Sequence, residues 1–398
     1  MADPADPAPQ PLAGLRVLDC SRVLAGPFCT MLLGDLGADV VKVEHPVGGD
    51  ETRHWGPPTA GGEAAYYLSI NRNKRSLALD LKTPAGQATL RRLAARADVL
   101  VENFRRGTMA AWGLDYAALR AANPGLIYCT ISGYGPLGPA AAHPGYDFAI
   151  QAASGLMGIT GEPAGAPMKV GVAIVDLLTG LFAANAIQAA LLGRERGRAT
   201  PPIGAHVEVS LFESALAALI NVGQNVLVTG RDAGRYGNAH ANIVPYQLFA
   251  AADGWLALAV GNDRQFAALA HTLGHPEWPA DPRRATNPAR LADRDRLIAE
   301  LDAIFATRSV ADWRDRLETA DIPVAAVQTV AAALESPQAR ALGIVQDIVH
   351  PTAGPIRLVG APLRFDGRLP PIRRPPPLLG EHSAEILAEL AAAGLVVG

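Results

Sequence analysis

Apolar and polar positions along this chain first fall into short buried runs separated by amphipathic stretches. Leu15-Arg16-Val17-Leu18-Asp19-Cys20 reads as a short buried strand. Pro27 to Leu36 reads as a helix, with Pro27 suited to its first turn and Gly37 to its end. Ala38 to Glu44 is a second strand, which makes a strand–helix–strand unit. The pattern then repeats. Arg75 to Leu81 alternates as a strand, Thr83-Pro84 caps and starts a helix, and Asp98 to Phe104 is the next strand. A helix running to Ala122 and a strand over Leu126 to Ile131 follow. Such alternation predicts an α/β fold, a parallel sheet with helices on both faces.

Further on, Leu177 to Gly193 reads as a buried helix, residues 197–205 as a loop, His206 to Leu211 as a strand and Ser214 to Val228 as a helix. Thr229 to Val244 turns polar and glycine-containing, as a linker or an active-site loop does. Tyr246–Phe249 and Trp255–Val260 predict a hairpin. Helical patterns at 263–273, 290–305 and 309–319 and a strand over 322–327 complete a smaller α+β domain. Strands at 344–350 and 355–360, a Pro-rich extended stretch from Leu369 to Pro377 and a helix over 383–393 read as a return segment. The expected division is a lead-in at 1–10, the first part of a large domain at 11–224, a small domain with linkers at 225–330, and a return segment at 331–398 that completes the large domain.

Composition narrows the function classes. A chain of 398 residues is long enough for two or three domains. Its net charge of −3 leaves no electrostatic footprint for nucleic acid. No unbroken run of 18 apolar residues predicts a membrane span. The acidic, Pro-rich start, MADPADPAPQP, has no apolar core of a signal peptide and reads as a disordered lead-in. Cys20, Cys29 and Cys129 sit in apolar stretches and predict a reducing, cytoplasmic setting. No Cys/His spacing predicts a metal site.

In an open α/β sheet, ligand binds beyond the carboxyl ends of the strands. The residues expected there are Ser21–Gly26, His45-Pro46, Asn103–Gly107 and Ser132–Gly135, small, polar or basic. No G-x-G-x-x-G opens the first helix and no G-x-x-x-x-G-K-[ST] occurs, so dinucleotide and P-loop readings are weak. One carboxylate stands out. Asp176 lies between a Gly/Pro-rich loop at 161–167 and the long apolar helix. It has two readings, a helix cap or a nucleophile that the helix start keeps ionised.

Taken in order, LRVLDCSRVLAGPFCTMLLGDLGADVVKVEHPVGGD, NRNKRSLALDLKTPAG, DVLVENFRRG, GYDFAIQAASGLM, VDLLTG, GNAHANIVPYQLF and PPPLLGEHSAEIL span Pro11 to Leu390. In this series the chain resembles the class III CoA-transferases, the CaiB/BaiF-type family of formyl-CoA transferase and the carnitine CoA-transferases. The resemblance implies an interlocked homodimer, with a Rossmann-like large domain built from both chain ends and a small domain on two long linkers. It implies Asp176 as nucleophile, forming an aspartyl anhydride and then an aspartyl-CoA thioester. CoA is then a substrate and no cofactor is needed. The partners are an acyl-CoA and a small carboxylic or dicarboxylic acid.

By the same resemblance Leu24, Ala25, His45, Leu79, Leu81, Lys82, Asn103, Phe104, Arg105, Tyr146 and Asp147 bind CoA or substrate. Gly237, Asn238 and His240 form the active-site loop. His45 and Ala111 stand where the formyl enzyme has arginines, so phosphate contacts pass to Arg72, Lys74, Arg75, Arg105 or Arg106, or these are surface charges. His143, with Asp147, orients loops in the bland reading. Arg53, Arg231 and Arg235 are candidates for a distal carboxylate. The GNAHANIVPYQ loop looks more like the succinyl-CoA-using branches than the formyl branch.

Two alternatives stand beside the transferase. An α-methylacyl-CoA racemase needs an acid–base pair, but Tyr146 and Ala250 fall at its histidine and glutamate positions, and neither can serve. A non-catalytic CoA-ester-binding protein would need no Asp176.

Overall fold

The computed structural model describes residues 9–197, 199 and 202–394. Most of the expected lead-in, residues 1–8, lies outside them. Six strands form the main sheet: β1 (Arg16–Asp19), β2 (Asp39–Glu44), β3 (Lys74–Ala78), β4 (Val99–Glu102), β5 (Ile127–Ser132) and β6 (Ala205–Ser210). Every pairing is parallel. The spatial order is β3-β2-β1-β4-β5-β6, so the sheet reverses direction of growth between β1 and β4. This is the doubly wound order, and the reversal opens a crevice at the strand ends. Strands covered on both faces should be apolar throughout, and Val17, Leu18, Val40, Val41, Val99, Leu100 and Val101 are all buried.

The chain divides into two compact units. Of the described residues, the first takes those up to Ser154, those within Val170–Ala218 and those from Pro337 onward. The second takes Leu219–Ser336 together with Gly155–Lys169. The sequence reading left that last segment inside the large domain. It joins the second unit because the Arg235 guanidinium donates to the carbonyls of Gly158, Glu162 and Gly165, and Gly237 N–H donates to Gly161 O.

Within the first unit, α1 (Ala25–Asp35) follows β1 and α2 (Ala65–Ile70) precedes β3. Helix α3 (Pro84–Ala94) starts as expected, with Thr83 Oγ1 accepting from Gly86 N–H and Pro84 in the first turn. α4 (Asp147–Ala153) precedes the longest helix, α5 (Ile174–Arg196). The expected helix to Ala122 is two short helices, Thr108–Ala111 and Tyr116–Ala122, parted at Gly113 with its φ of +62°. The expected helix at 214–228 is likewise two, Leu211–Ala217 and Ile220–Thr229. Helix α5 is long and apolar enough to cross a membrane by length and composition alone, which the sequence reading did not expect. Here its Thr179, Gly180, Ala183, Ala184 and Ile187 are buried, and it packs on α1.

The return segment closes this unit as a lateral seam. His382 N–H donates to Ser76 O, Ala78 N–H to Ser383 Oγ, and Arg75 pairs with Glu385 and Glu389 of α6 (Ser383–Ala392).

The second unit holds a three-stranded antiparallel sheet of Tyr246–Ala251, Gly254–Ala259 and Val324–Ala326. Phe249, Leu258, Phe266, Leu301, Phe305 and Trp313 build its core. The helical pattern expected at 290–305 is two helices, Asn287–Ala292 and Arg294–Phe305.

The contact between α1 and α5 is close enough to test. A Cβ built on Gly180 would lie 2.7 Å from Ala25 O and 3.0 Å from the Phe28 ring. Gly180→Ala is therefore expected to cost about 1–3 kcal/mol, read as a lower urea midpoint. An unchanged midpoint would mean that the two helices separate without cost.

Candidate active site

The reversal of strand order brings together the loops after β1 and β4. Asn103 bridges them: its Oδ1 accepts from Arg22 N–H at 2.8 Å and its Nδ2 donates to Arg22 O at 2.7 Å. Beyond this bridge lies a cavity of about 280 Å³ lined by Leu24, Ala25, Asn103, Phe104, Arg105, Tyr146 and Asp176, among others. Seven of the residues expected from sequence thus meet around one space, with His143 also on its wall.

Asp176 is not the cap of its helix. The cap position is Ala173, which has no side chain to offer, and Asp176 sits in the first turn. The acceptor comes from another helix. Asp147 Oδ1 accepts from Val175 N–H at 2.8 Å and from Asp176 N–H at 3.4 Å, and its Oδ2 accepts from Gln151 Nε2 at 2.7 Å. Gln151 Oε1 in turn accepts from Val170 N–H. Asp147 is buried and structural in its contacts, while the half-buried Asp176 faces the cavity. The surroundings of Asp176 act against the ionisation that a helix start would favour. Burial, and then the charge of Asp147, push its carboxyl up from 3.8 to about 7.

A second cavity, of about 260 Å³, holds another part of the expected set. His45, Leu79, Leu81, Lys82 and Phe104 line it, together with Arg22 and Trp112. Phe104 and Arg22 border both spaces, and Arg22 pairs with Glu51 at 3.1 Å. His45 is exposed, its Nδ1 within 2.9 Å of Val47 O. Lys82 and Arg105 are exposed and have no side-chain hydrogen bond or ion pair among the described residues.

Several expected cations are committed elsewhere. Arg72 is bound to Asp35, Lys74 to Asp19, and Arg75 to Asp39, Glu385 and Glu389. Arg106 donates to Pro136 O. Arg53 is locked by Glu44, Glu63 and Tyr67. Arg235 is spent on three backbone carbonyls. Neither surface charge nor ligand contact describes the buried Arg53, Arg72, Lys74 and Arg75; they are internal partners.

Gly237, Asn238 and His240 belong to the second unit. There Arg294 Nη2 donates to the carbonyls of His240 and Ala241, and Asn242 N–H donates to His240 Nδ1 at 3.0 Å. Sequence reasoning missed Trp55 and Tyr66, whose rings meet edge to face at 5.2 Å. The Tyr66 hydroxyl is pushed up to about 12 by burial and then by the charges of Asp176, Asp147 and Asp50. The only signal for it was an aromatic pair, Tyr66-Tyr67, after a glycine-rich turn.

The position of the Asp176 carboxyl makes stability depend on pH. The folded chain keeps this proton up to about pH 7, whereas an unfolded chain releases it near 3.8. The contribution is full below about 3.8 and is lost as pH rises through about 7. Asp176→Asn removes the dependence. Relative to the parent chain it should gain about 1–3 kcal/mol between pH 4 and pH 8, measured by denaturant unfolding across that range. A gain that stays constant with pH would contradict the raised carboxyl.

The chain has known relatives. A model of CoA-transferase family III matches residues 12–383. The chain is 45% identical to the succinate–glutarate CoA-transferase of Agrobacterium fabrum, over 96% of both chains. It is 43% identical to the succinyl-CoA:glutarate CoA-transferase of Mus musculus, over 96% of this chain and 86% of that one. Among solved structures, a CaiB/BaiF family protein from Brucella suis superposes with a TM-score of 0.83 at 43% identity, covering 96% of this chain and 100% of its own. A carboxylate facing a strand-end cavity, in a chain matched along nearly all its length, places the protein: it belongs to CoA-transferase family III.

Proposed function

We propose that this protein transfers CoA from succinyl-CoA, or a close dicarboxylic homologue, to a short dicarboxylic acid of the glutarate type. Asp176, facing the strand-end cavity with its carboxyl near neutrality, is the observation that carries the reading. The activities for which the two glutarate-using relatives are named support the acid class.

In the proposed sequence, a carboxylate oxygen of Asp176 attacks the thioester carbonyl. The C–S bond breaks and CoA leaves as thiolate, giving a mixed anhydride. The thiolate then attacks the aspartyl carbonyl and expels the donor acid, leaving an aspartyl-CoA thioester. The acceptor's carboxylate attacks that thioester and expels the thiolate, which finally takes the acyl group and frees Asp176. Each step exchanges one acyl bond for another, which is how covalent catalysis avoids a single hard displacement. The CoA moiety would occupy the cavity of His45, Leu79 and Lys82, with Phe104 and Arg22 between it and Asp176.

The reading includes a homodimer. Leu181, Phe182 and Leu192 of α5 are about half exposed, and Ile220, Leu227 and Val228 are 72%, 80% and 74% exposed. Within each unit, exposed apolar residues such as these need a cover, and a second copy of the chain is the partner proposed. Light scattering should give twice the chain mass; a monomer at micromolar concentration would refute the dimer.

The decisive assay supplies succinyl-CoA with glutarate and other acids in D2O and reads the products by mass spectrometry. Glutaryl-CoA is expected, with transfer falling about 10³-fold or more in Asp176→Ala while CoA binding survives. Deuterium at the α-carbon without a new acyl-CoA would sink the transferase reading.

A further inference from the structure

Val23 has a φ of +70°. A β-branched residue in the left-handed region is a true outlier and persists only where its surroundings force it. Val23 precedes Leu24 and Ala25, and all three line the cavity of Asp176. What forces the turn is visible on both sides of it.

On one side Asp50 Oδ1 accepts from Val23 N–H at 3.4 Å and from Thr52 N–H and Oγ1 at 3.0 and 2.8 Å. Asp50 Oδ2 accepts from Lys42 Nζ at 2.9 Å, and the same ammonium donates to Ser21 O at 3.1 Å. Ser21 N–H is bound to Asp19 Oδ1 at 3.0 Å. On the other side Asn103 grips both backbone groups of Arg22. Lys42 and Asp50 are 0% and 1% exposed. Neither lines the space that holds Asp176; both border the neighbouring one.

We propose that Asp50 and Lys42 are positioning residues for the transfer, clamping Val23 in its left-handed turn so that the Leu24–Ala25 wall stands correctly beside Asp176. The inference rests on the transferase reading. It differs from a direct CoA contact in a way that can be measured, because glycine adopts a φ of +70° without strain. With glycine in place of Val23 the clamp has little left to do.

The test is a cycle of Val23→Gly, Asp50→Asn and the double variant. Each is assayed for kcat and for KM of succinyl-CoA, and each is melted. Asp50→Asn should lower kcat about 10–100-fold, as a small displacement of a cavity wall does, with KM changed by about threefold or less. Val23→Gly should raise the melting midpoint and, in the double variant, restore most of the lost kcat. An equal loss of kcat in the Val23→Gly background, or a loss confined to KM, would overturn the clamp.

Should Asp50→Asn not fold, Asn103→Ala opens the other side of the turn without touching the buried charges, and the same rescue is expected. The melting cycle separates the two claims. If the parent chain transfers no CoA, the functional reading fails, whereas the clamp still predicts that Asp50→Asn lowers the midpoint less when Val23 is replaced by glycine. Equal shifts in both backgrounds would overturn the clamp alone.

Discussion

Two carboxylates share one helix start. Asp147 takes the backbone N–H groups of Val175 and Asp176 and so performs the capping that α5 cannot perform for itself, since its own cap position is Ala173. This division of labour determines what Asp176 can be. A carboxylate engaged with its own backbone would be stabilised as an anion and turned away from solvent. Asp176 is released from that duty, left facing a cavity, and set beside a second negative charge in a partly dry place. Burial and Asp147 both act against its ionisation. A carboxylate more basic than an ordinary aspartate is the result.

The rest of the first unit holds this arrangement still. Beneath the crevice Asp19 is fully buried between Lys74 and Lys42. Burial opposes its charge, and the two lysines outweigh burial and hold the carboxyl well below its ordinary range. The same group ties three elements. Thr30 of α1 donates to Asp19 at 2.7 Å, Lys74 of β3 donates to Pro27 O, and Lys42 of β2 reaches Asp50 and Ser21 O. A buried set of charges is weak evidence for added stability, because hydrophobic replacements often do as well. Its directional bonds are better matched to a fixed register of α1 and of the turn at Val23. The approach of Gly180 to Ala25 O then carries that register to α5, one turn beyond Asp176.

Much of this was legible in the chain alone. Buried strands of β-branched residues and their spacing by amphipathic helices announced the parallel sheet. Asp176, Leu24, Ala25, Asn103, Phe104, Arg105 and Tyr146 follow from strand ends plus the family resemblance, and all line one cavity. Failures share a physical cause. Whether a charge is free depends on partners far away in sequence. Arg72, Lys74 and Arg75 look like surface cations in a linear reading, yet Asp35, Asp19 and Glu389 bind them across long separations. Helix breaks were missed at Gly113 and Ile220 because one residue with positive φ leaves no mark in hydrophobic periodicity. Tyr66 went unnoticed because its helix, α2, is six residues long and too short to show a period.

Raising the Asp176 carboxyl has a consequence for the covalent route as well as for the first attack. Through the proposed cycle Asp176 alternates between an anion and two neutral forms, the anhydride and the CoA thioester. Surroundings that disfavour its charge disfavour the resting ionised state relative to both acylated states. The presence of Asp147 sharpens this, because acylation removes one of two adjacent negative charges while leaving the cap on α5 in place. Transfer between two similar acids has almost no overall driving force, so intermediates that lie deep or high would both slow it. A site that lifts the free carboxylate towards its acyl adducts narrows the span between the states. It does so with Asp147, a residue that makes its contacts to backbone and to Gln151 and need not touch either substrate.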